Sequence, residues 1–167
     1  MQKLLSLLII SILSFFQLSC KKEIDVEFDS RTFTNNKKQW EQLNIKDYSF
    51  EYHMGGLVYN IPGTIVVRNG KINKFIPKDD RLPVVLDESF FKYYLTVDDI
   101  FRNIENTFSN PIYQKENKNT YWYCHEILVE YDETYFYPKF VAFNHSGKNM
   151  FITDTDTNIT ITRFVAE

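Results

Sequence analysis

The chain has 167 residues, with 19 Lys and Arg against 22 Asp and Glu, a formal charge of −3, 17% aromatic residues and two cysteines. That length fits one domain able to bury its own core. The mild acidity and the lack of a basic block exclude the electrostatic footprint of a nucleic-acid binder, and two cysteines are too few for a disulfide framework.

The chain opens MQKLLSLLIISILSFFQLSC. Lys3 gives a positive start, and Leu4 to Phe16 is an apolar run interrupted only by serines. This is short for a bilayer span, which needs roughly 20 apolar residues, and suits a signal peptide. The run ends at Gln17-Leu18-Ser19-Cys20, a small residue followed by cysteine, which resembles a bacterial lipobox. Gln17 and Leu18 stand where that pattern has Leu and a small residue, whereas Ser19 fits. The expectation is a lipoprotein signal over residues 1–19, with Cys20 cut free, diacylated and turned into the new N-terminus. Two acyl chains anchor a protein stably where one does so marginally. An ordinary secretory signal with an incidental Cys20 and an uncleaved N-terminal anchor are the competing readings. A buried helix is a poorer one, because nothing in the segment is amphipathic.

Removing residues 1–19 leaves 148 residues (167 minus 19) and a formal charge of −4 (18 minus 22). With Cys20 acylated, Cys124 has no cysteine to pair with, and no intramolecular disulfide is expected. Residues 20–34 mix charges with isolated apolar side chains and are expected to be a lipidated, solvated tether. Residues 35–167 are expected to form one globular domain, since no Gly-Ser or Pro-rich linker follows.

Asn35 to Leu43 predicts a short helix, pinned by Trp40 and Leu43 at i, i+3. Tyr48 to His53 alternates strictly and predicts a strand with Tyr48, Phe50 and Tyr52 on its buried side. Thr64 to Arg68, Asn69-Gly70 and Lys71 to Ile76 predict a hairpin closed by a type I′ turn, with Val67 facing Ile72. Phe90 to Leu95 fits strand or helix equally. Thr96 to Phe108 predicts the main helix. Thr96 caps it, Asp98 and Asp99 sit in its first turn, and Val97, Ile100, Phe101, Ile104 and Phe108 form an apolar stripe. The remainder predicts a meander. Thr120 to Asp132 is a strand with Tyr121, Tyr123, Ile127, Val129 and Tyr131 on one face, followed by Lys139 to Asn144. His145 to Lys148 is a turn, Met150 to Thr153 pairs briefly, and Ile159 to Val165 closes the sheet. The fold class expected is α+β, an antiparallel sheet of about five or six strands with one main amphipathic helix and a short N-terminal helix.

The order of Trp40, Asp47-Tyr48-Ser49-Phe50, Ile65 to Ile72, Thr96 to Phe101, Val129 to Asp132 and Tyr137-Pro138 resembles an uncharacterised bacterial lipoprotein family, domain of unknown function 6174. The resemblance runs from Trp40 to the C-terminus. It implies a lipoprotein signal and no particular activity. Some members carry a cysteine pair where this chain has Met54-Gly55-Gly56, so a role tied to that pair does not transfer.

No stretch carries a catalytic or cofactor motif, and no cofactor is expected. A zinc site needs three or four converging ligands. Cys124 and His125 are adjacent on a strand and point to opposite faces, and His53 falls on a polar strand face. Asp154-Thr155-Asp156-Thr157-Asn158 begins like a calcium loop, but Ile159 stands where Gly is needed and Val165 where Glu is needed. No metal site is therefore expected. Asp79-Asp80 reads as an exposed loop, and Glu130 and Asp132 as acids facing water. Ser146 beside His145 lacks a nucleophile-elbow context, and an apolar strand favours an inert, buried Cys124. Tyr121-Trp122-Tyr123 and Tyr135-Phe136-Tyr137 are the candidate binding patch, since exposed rings suit carbohydrate or protein contact. The expectation is a membrane-anchored envelope lipoprotein acting as a non-enzymatic binding or assembly module. An envelope hydrolase would need a pocket gathering two of the histidines and acids. An inhibitor-like module would present its loops to an enzyme.

Overall fold

The computed structural model describes residues 26–55, 62–78, 95–109, 123–146 and 157–167. The signal segment with Cys20, Asp79-Asp80, Phe90 to Tyr94, Tyr121-Trp122, Met150 to Thr153 and Asp154 to Asp156 lie outside them.

The architecture is α+β, as expected from the sequence. Helix α1 (Ser30–Leu43) precedes strands β1 (Tyr48–Gly55), β2 (Gly63–Arg68) and β3 (Lys71–Pro77). Helix α2 (Val97–Ser109) follows, then β4 (Tyr123–Tyr131), β5 (Pro138–Ser146) and β6 (Thr157–Ala166). The six strands form one antiparallel sheet in the order β3-β2-β1-β6-β5-β4. The last strand therefore does not close an edge. It lies between β1 and β5 and joins the N-terminal hairpin layer to the β4–β5 hairpin.

The first hairpin follows its local chemistry. Asn69 and Gly70 both take positive φ, 53° and 70°, as a type I′ turn demands. Val67 faces Ile72, and Asp47 accepts the Asn69 N–H at 2.7 Å. On β1, Tyr48, Phe50 and Tyr52 are buried and His53 is exposed.

Helix α2 carries a reciprocal cap. Thr96 Oγ1 accepts the Asp99 N–H at 3.1 Å, and Asp99 Oδ2 accepts the Thr96 N–H at 3.1 Å. Its stripe of Val97, Ile100, Phe101 and Ile104 is buried. Tyr48 Oη accepts the Val97 N–H at 3.1 Å, so β1 satisfies one of the donors that every helix start leaves open.

Helix α1 begins five residues earlier than the sequence predicts (35 minus 30), because Asp29 caps it by accepting the Thr32 N–H at 3.0 Å. That bond holds the Asp29 carboxyl below its usual range. Phe33 and Trp40, seven residues apart on one face, are buried, whereas Leu43 is 41% exposed. The stretch expected to be solvated through residue 34 thus joins the domain from Val26 onward. Val26 and Phe28 pack on the core, and Phe28 stacks on Phe108 at 4.7 Å. Glu27 adds a parallel bridge beside Glu126 at the open edge of β4. Its N–H donates to His125 O at 2.8 Å, and Ile127 N–H donates to Glu27 O at 2.9 Å.

Two bulges change which side chains reach the core. On β4 an extra residue lies between Cys124 and Glu126, so Cys124 and Ile127 are both buried and the single face expected from Tyr121 to Tyr131 changes phase. On β6 an extra residue lies between the pairs Ser49↔Val165 and Glu51↔Thr162, where Arg163 has φ 50°. Ile159 and Ile161 face the core, but the next inward ring is Phe164, and Val165 is 54% exposed. Phe164 stacks on Tyr137 at 4.7 Å and on Tyr48 at 5.3 Å, and meets Trp40 edge-on at 5.8 Å.

Candidate functional site

Those of the residues singled out by the sequence that are described in the structure are not brought together. His53 is on β1, whereas His125 sits in the β4 bulge and His145 lies opposite Cys124 in the β4–β5 ladder. His145 belongs to β5, which runs through Ser146, rather than to the expected turn. Ladder pairing continues there because β4 supplies partners as far as Tyr123. Cys124 is fully buried, and its Sγ donates to Glu126 O at 3.4 Å. Among the described residues, no three His, Cys, Asp or Glu side chains gather as a metal site.

The acids serve structure. Asp98 accepts from Trp40 Nε1 at 2.7 Å, and Asp99 pairs with Arg102 at 2.7 Å besides its capping role. Asp132 accepts the Thr134 and Tyr135 N–H groups at 2.9 and 2.7 Å and so shapes the turn into β5. Glu130 is exposed, near Lys139 at 3.7 Å.

The described members of the aromatic triplets divide between the two ends of one hairpin. Tyr123 pairs with Ser146 at the start of β4, whereas Tyr135 to Tyr137 follow its far end, where Tyr131 pairs with Pro138. Eight residue steps separate Tyr123 from Tyr131 (131 minus 123), about 26 Å of strand. Tyr137 is buried, and Tyr135 leans on Phe164 at 5.1 Å. Burial beside Asp132 and Tyr135 pushes the Tyr137 phenol up to about 12. Phe136 takes a positive φ of 63° in the turn.

The residues that do converge belong to the outer face of the sheet, opposite the side packed under the helices. The alternation that buries Tyr48, Phe50 and Tyr52 turns Ser49, Glu51 and His53 outward. On β2, burial of Gly63, Ile65 and Val67 turns Thr64 outward. On β6, burial of Ile159 and Ile161 turns Thr160 and Thr162 outward. The register then places Ile76, Thr64, Glu51 and Thr162 in one row across β3, β2, β1 and β6, with His53 beside Thr160 in the next. These side chains border a concavity of about 350 Å³, walled at one side by Pro62 and Pro77.

Glu51 is the polar centre of the row. Its Oε1 accepts from Arg163 Nη1 at 2.7 Å and its Oε2 from Thr162 Oγ1 at 3.3 Å. The bulge that sends Phe164 inward thus sends Arg163 outward onto Glu51. Hydroxyls, a carboxylate and an imidazole around an open hollow offer both donors and acceptors to a small polar ligand. With Arg163 and Thr162 already on its two oxygens, Glu51 is held in place as a hydrogen-bond acceptor at the centre of the hollow. Apart from His53, sequence reasoning passes over this group. An outward polar row looks like any solvated strand face until the register aligns it.

No curated protein matches the chain, and no solved structure matches it. The model of the family described as a family of unknown function, DUF6174, matches residues 32–166. That span runs from the first turn of α1 to the end of β6, and the chain belongs to this family.

Proposed function

We propose that the chain is a bacterial envelope lipoprotein, cut before Cys20, held at a membrane by lipid on that cysteine, and acting as a non-enzymatic binding or assembly module. The observation that carries this reading is the opening sequence, a Lys3 start and an apolar run ending at Ser19-Cys20. Mass spectrometry of the mature protein tests it. The mass expected is that of an N-terminus at Cys20 plus acyl chains, lost on Cys20→Ala. A mature N-terminus elsewhere, without lipid, overturns it.

The contact surface of the module is the outer-face hollow around Glu51, with Thr64, Thr160, Thr162 and His53 as its polar groups. A hydrolytic role for Glu51 with His53 is disfavoured by the commitment of Glu51 to Arg163. Titration of the ¹⁵N-labelled chain with envelope glycan fragments and peptides is expected to shift the amides of Glu51, Thr64 and Thr162. Shifts confined to the Tyr135–Tyr137 turn would move the contact to that end of the sheet.

A further inference from the structure

We infer that the domain is held with its β4 edge toward the lipid surface and its β3 edge away from it, so that the hollow around Glu51 is turned from the membrane; this rests on the anchor at Cys20 proposed above. The argument is one of reach. Glu27 is fixed on the domain by its two bonds to β4, and Phe28 and Asp29 continue directly into the core and the cap of α1. Only seven residue steps (27 minus 20) join Cys20 to Glu27. Whatever conformation they take, they span at most about 25 Å.

The sheet is wider than that. From β3 to Glu27 there are six inter-strand spacings, because Glu27 lies outside β4 and β4 is the last of six strands. At about 4.8 Å each they amount to about 29 Å. A domain standing on its β3 edge would keep Glu27 tethered only with the connection drawn out to the limit of its length and the Cys20 side chain and its lipid linkage making up the remainder. A domain standing on its β4 edge leaves the connection slack. The hollow, spread over β3, β2, β1 and β6, then lies on the membrane-distal part of the sheet, open to a soluble partner or to material above the bilayer. The β4 edge is not suited to adhere to anionic lipid, since Glu27, Glu126 and Glu130 lie along it. The edge faces the bilayer because the chain is short.

The experiment uses the full lipidated chain in vesicles carrying a contact-range fluorescence quencher on a fraction of the lipid headgroups. One fluorophore is placed at Leu128→Cys on β4 and, separately, at Lys74→Cys on β3; both positions are exposed, and Cys124 is buried and does not compete. At least about two-fold more quenching is expected from position 128 than from position 74, given the strand spacings between them. Inserting twenty Gly and Ser residues between Lys22 and Glu23 is expected to abolish the difference. Equal quenching in the unextended protein, or a difference that survives the insertion, overturns the orientation while leaving the anchor intact. Failure of the wild-type protein to float with vesicles overturns the anchor, and the orientation with it.

Discussion

The indole Nε1 of Trp40 donates to Asp98 Oδ1 at 2.7 Å, tying the last turn of α1 to the first turn of α2. The same indole meets Tyr48 edge-on at 5.6 Å, and Tyr48 in turn accepts the Val97 N–H, so both helices and β1 share one joint. Lys37 and Glu105, 2.6 Å apart, add a second link between the helices nearer the surface.

Trp40→Phe keeps a ring but loses the donor, and is expected to cost about 2 kcal/mol, the scale of a hydrogen bond to a charged group. Asp98→Ala strands a buried donor and is expected to cost about 1–3 kcal/mol. Asp98→Asn keeps an acceptor and is expected to cost less than Ala. Urea unfolding with an unchanged m-value reads these differences. Equal losses for Asn and Ala would show that the joint does not depend on this bond.

Arg163 sits in the left-handed region at the β6 bulge, and this conformation is what aims Phe164 inward. Arg163→Gly suits the backbone and loses only an exposed ion pair, so stability is expected to stay within about 1 kcal/mol of wild type. Arg163→Val is expected to lie about 1–2 kcal/mol below Arg163→Gly, because a β-branched side chain resists this φ. Phe164→Ala is expected to cost about 3–5 kcal/mol. Thermal melts of the three variants decide. A Val variant as stable as the Gly variant would mean that the bulge can be ironed out without loss.

The Tyr131 hydroxyl is buried and has no hydrogen-bond partner among the described residues, and burial raises its pKa. Its ring stacks on Phe101 at 6.5 Å. Tyr131→Phe keeps the stacking and removes an unsatisfied group, and is expected to stabilise the protein by up to about 1 kcal/mol. A rise in the urea midpoint checks this; a fall would reveal a partner for the hydroxyl.

Alkali is expected to destabilise the fold through Tyr48 and Tyr137. Burial raises both phenols above the ordinary value of 10.0, and for Tyr48 the nearby Asp98 and Asp99 add to it. Below that value both are neutral in the folded and unfolded chains and their contribution is whole. Above it the unfolded chain loses protons that the folded chain keeps. Stability therefore falls as pH rises from 10.0 through the folded value, about 12 for Tyr137. Each such tyrosine contributes a slope of about 1.4 kcal/mol per pH unit within its window. Urea titrations on either side of the phenol range, with Tyr48→Phe for comparison, are expected to show a steep loss in wild type and a shallower one in the variant. Parallel curves would remove Tyr48 from this role.

The amino-acid sequence determined by itself whatever depends on near neighbours. The Tyr48–Phe50–Tyr52 alternation, the Asn69-Gly70 turn and the Thr96 cap with its apolar stripe all emerge as read. Each rests on a backbone period or on bonds within a few residues. Only the tertiary structure decided what depends on a partner strand. The pairing of β6 with β1, the bulge at Arg163 and the Glu27 bridge are set by contacts across most of the chain, and the bulge at His125 by the register of β4 against β5. A bulge adds one residue, and one residue reverses which side chains face the core. For that reason Phe164 could not be placed by alternation from Ile159 and Ile161. The row of Thr64, Glu51 and Thr162 exists only once three strands are laid in register.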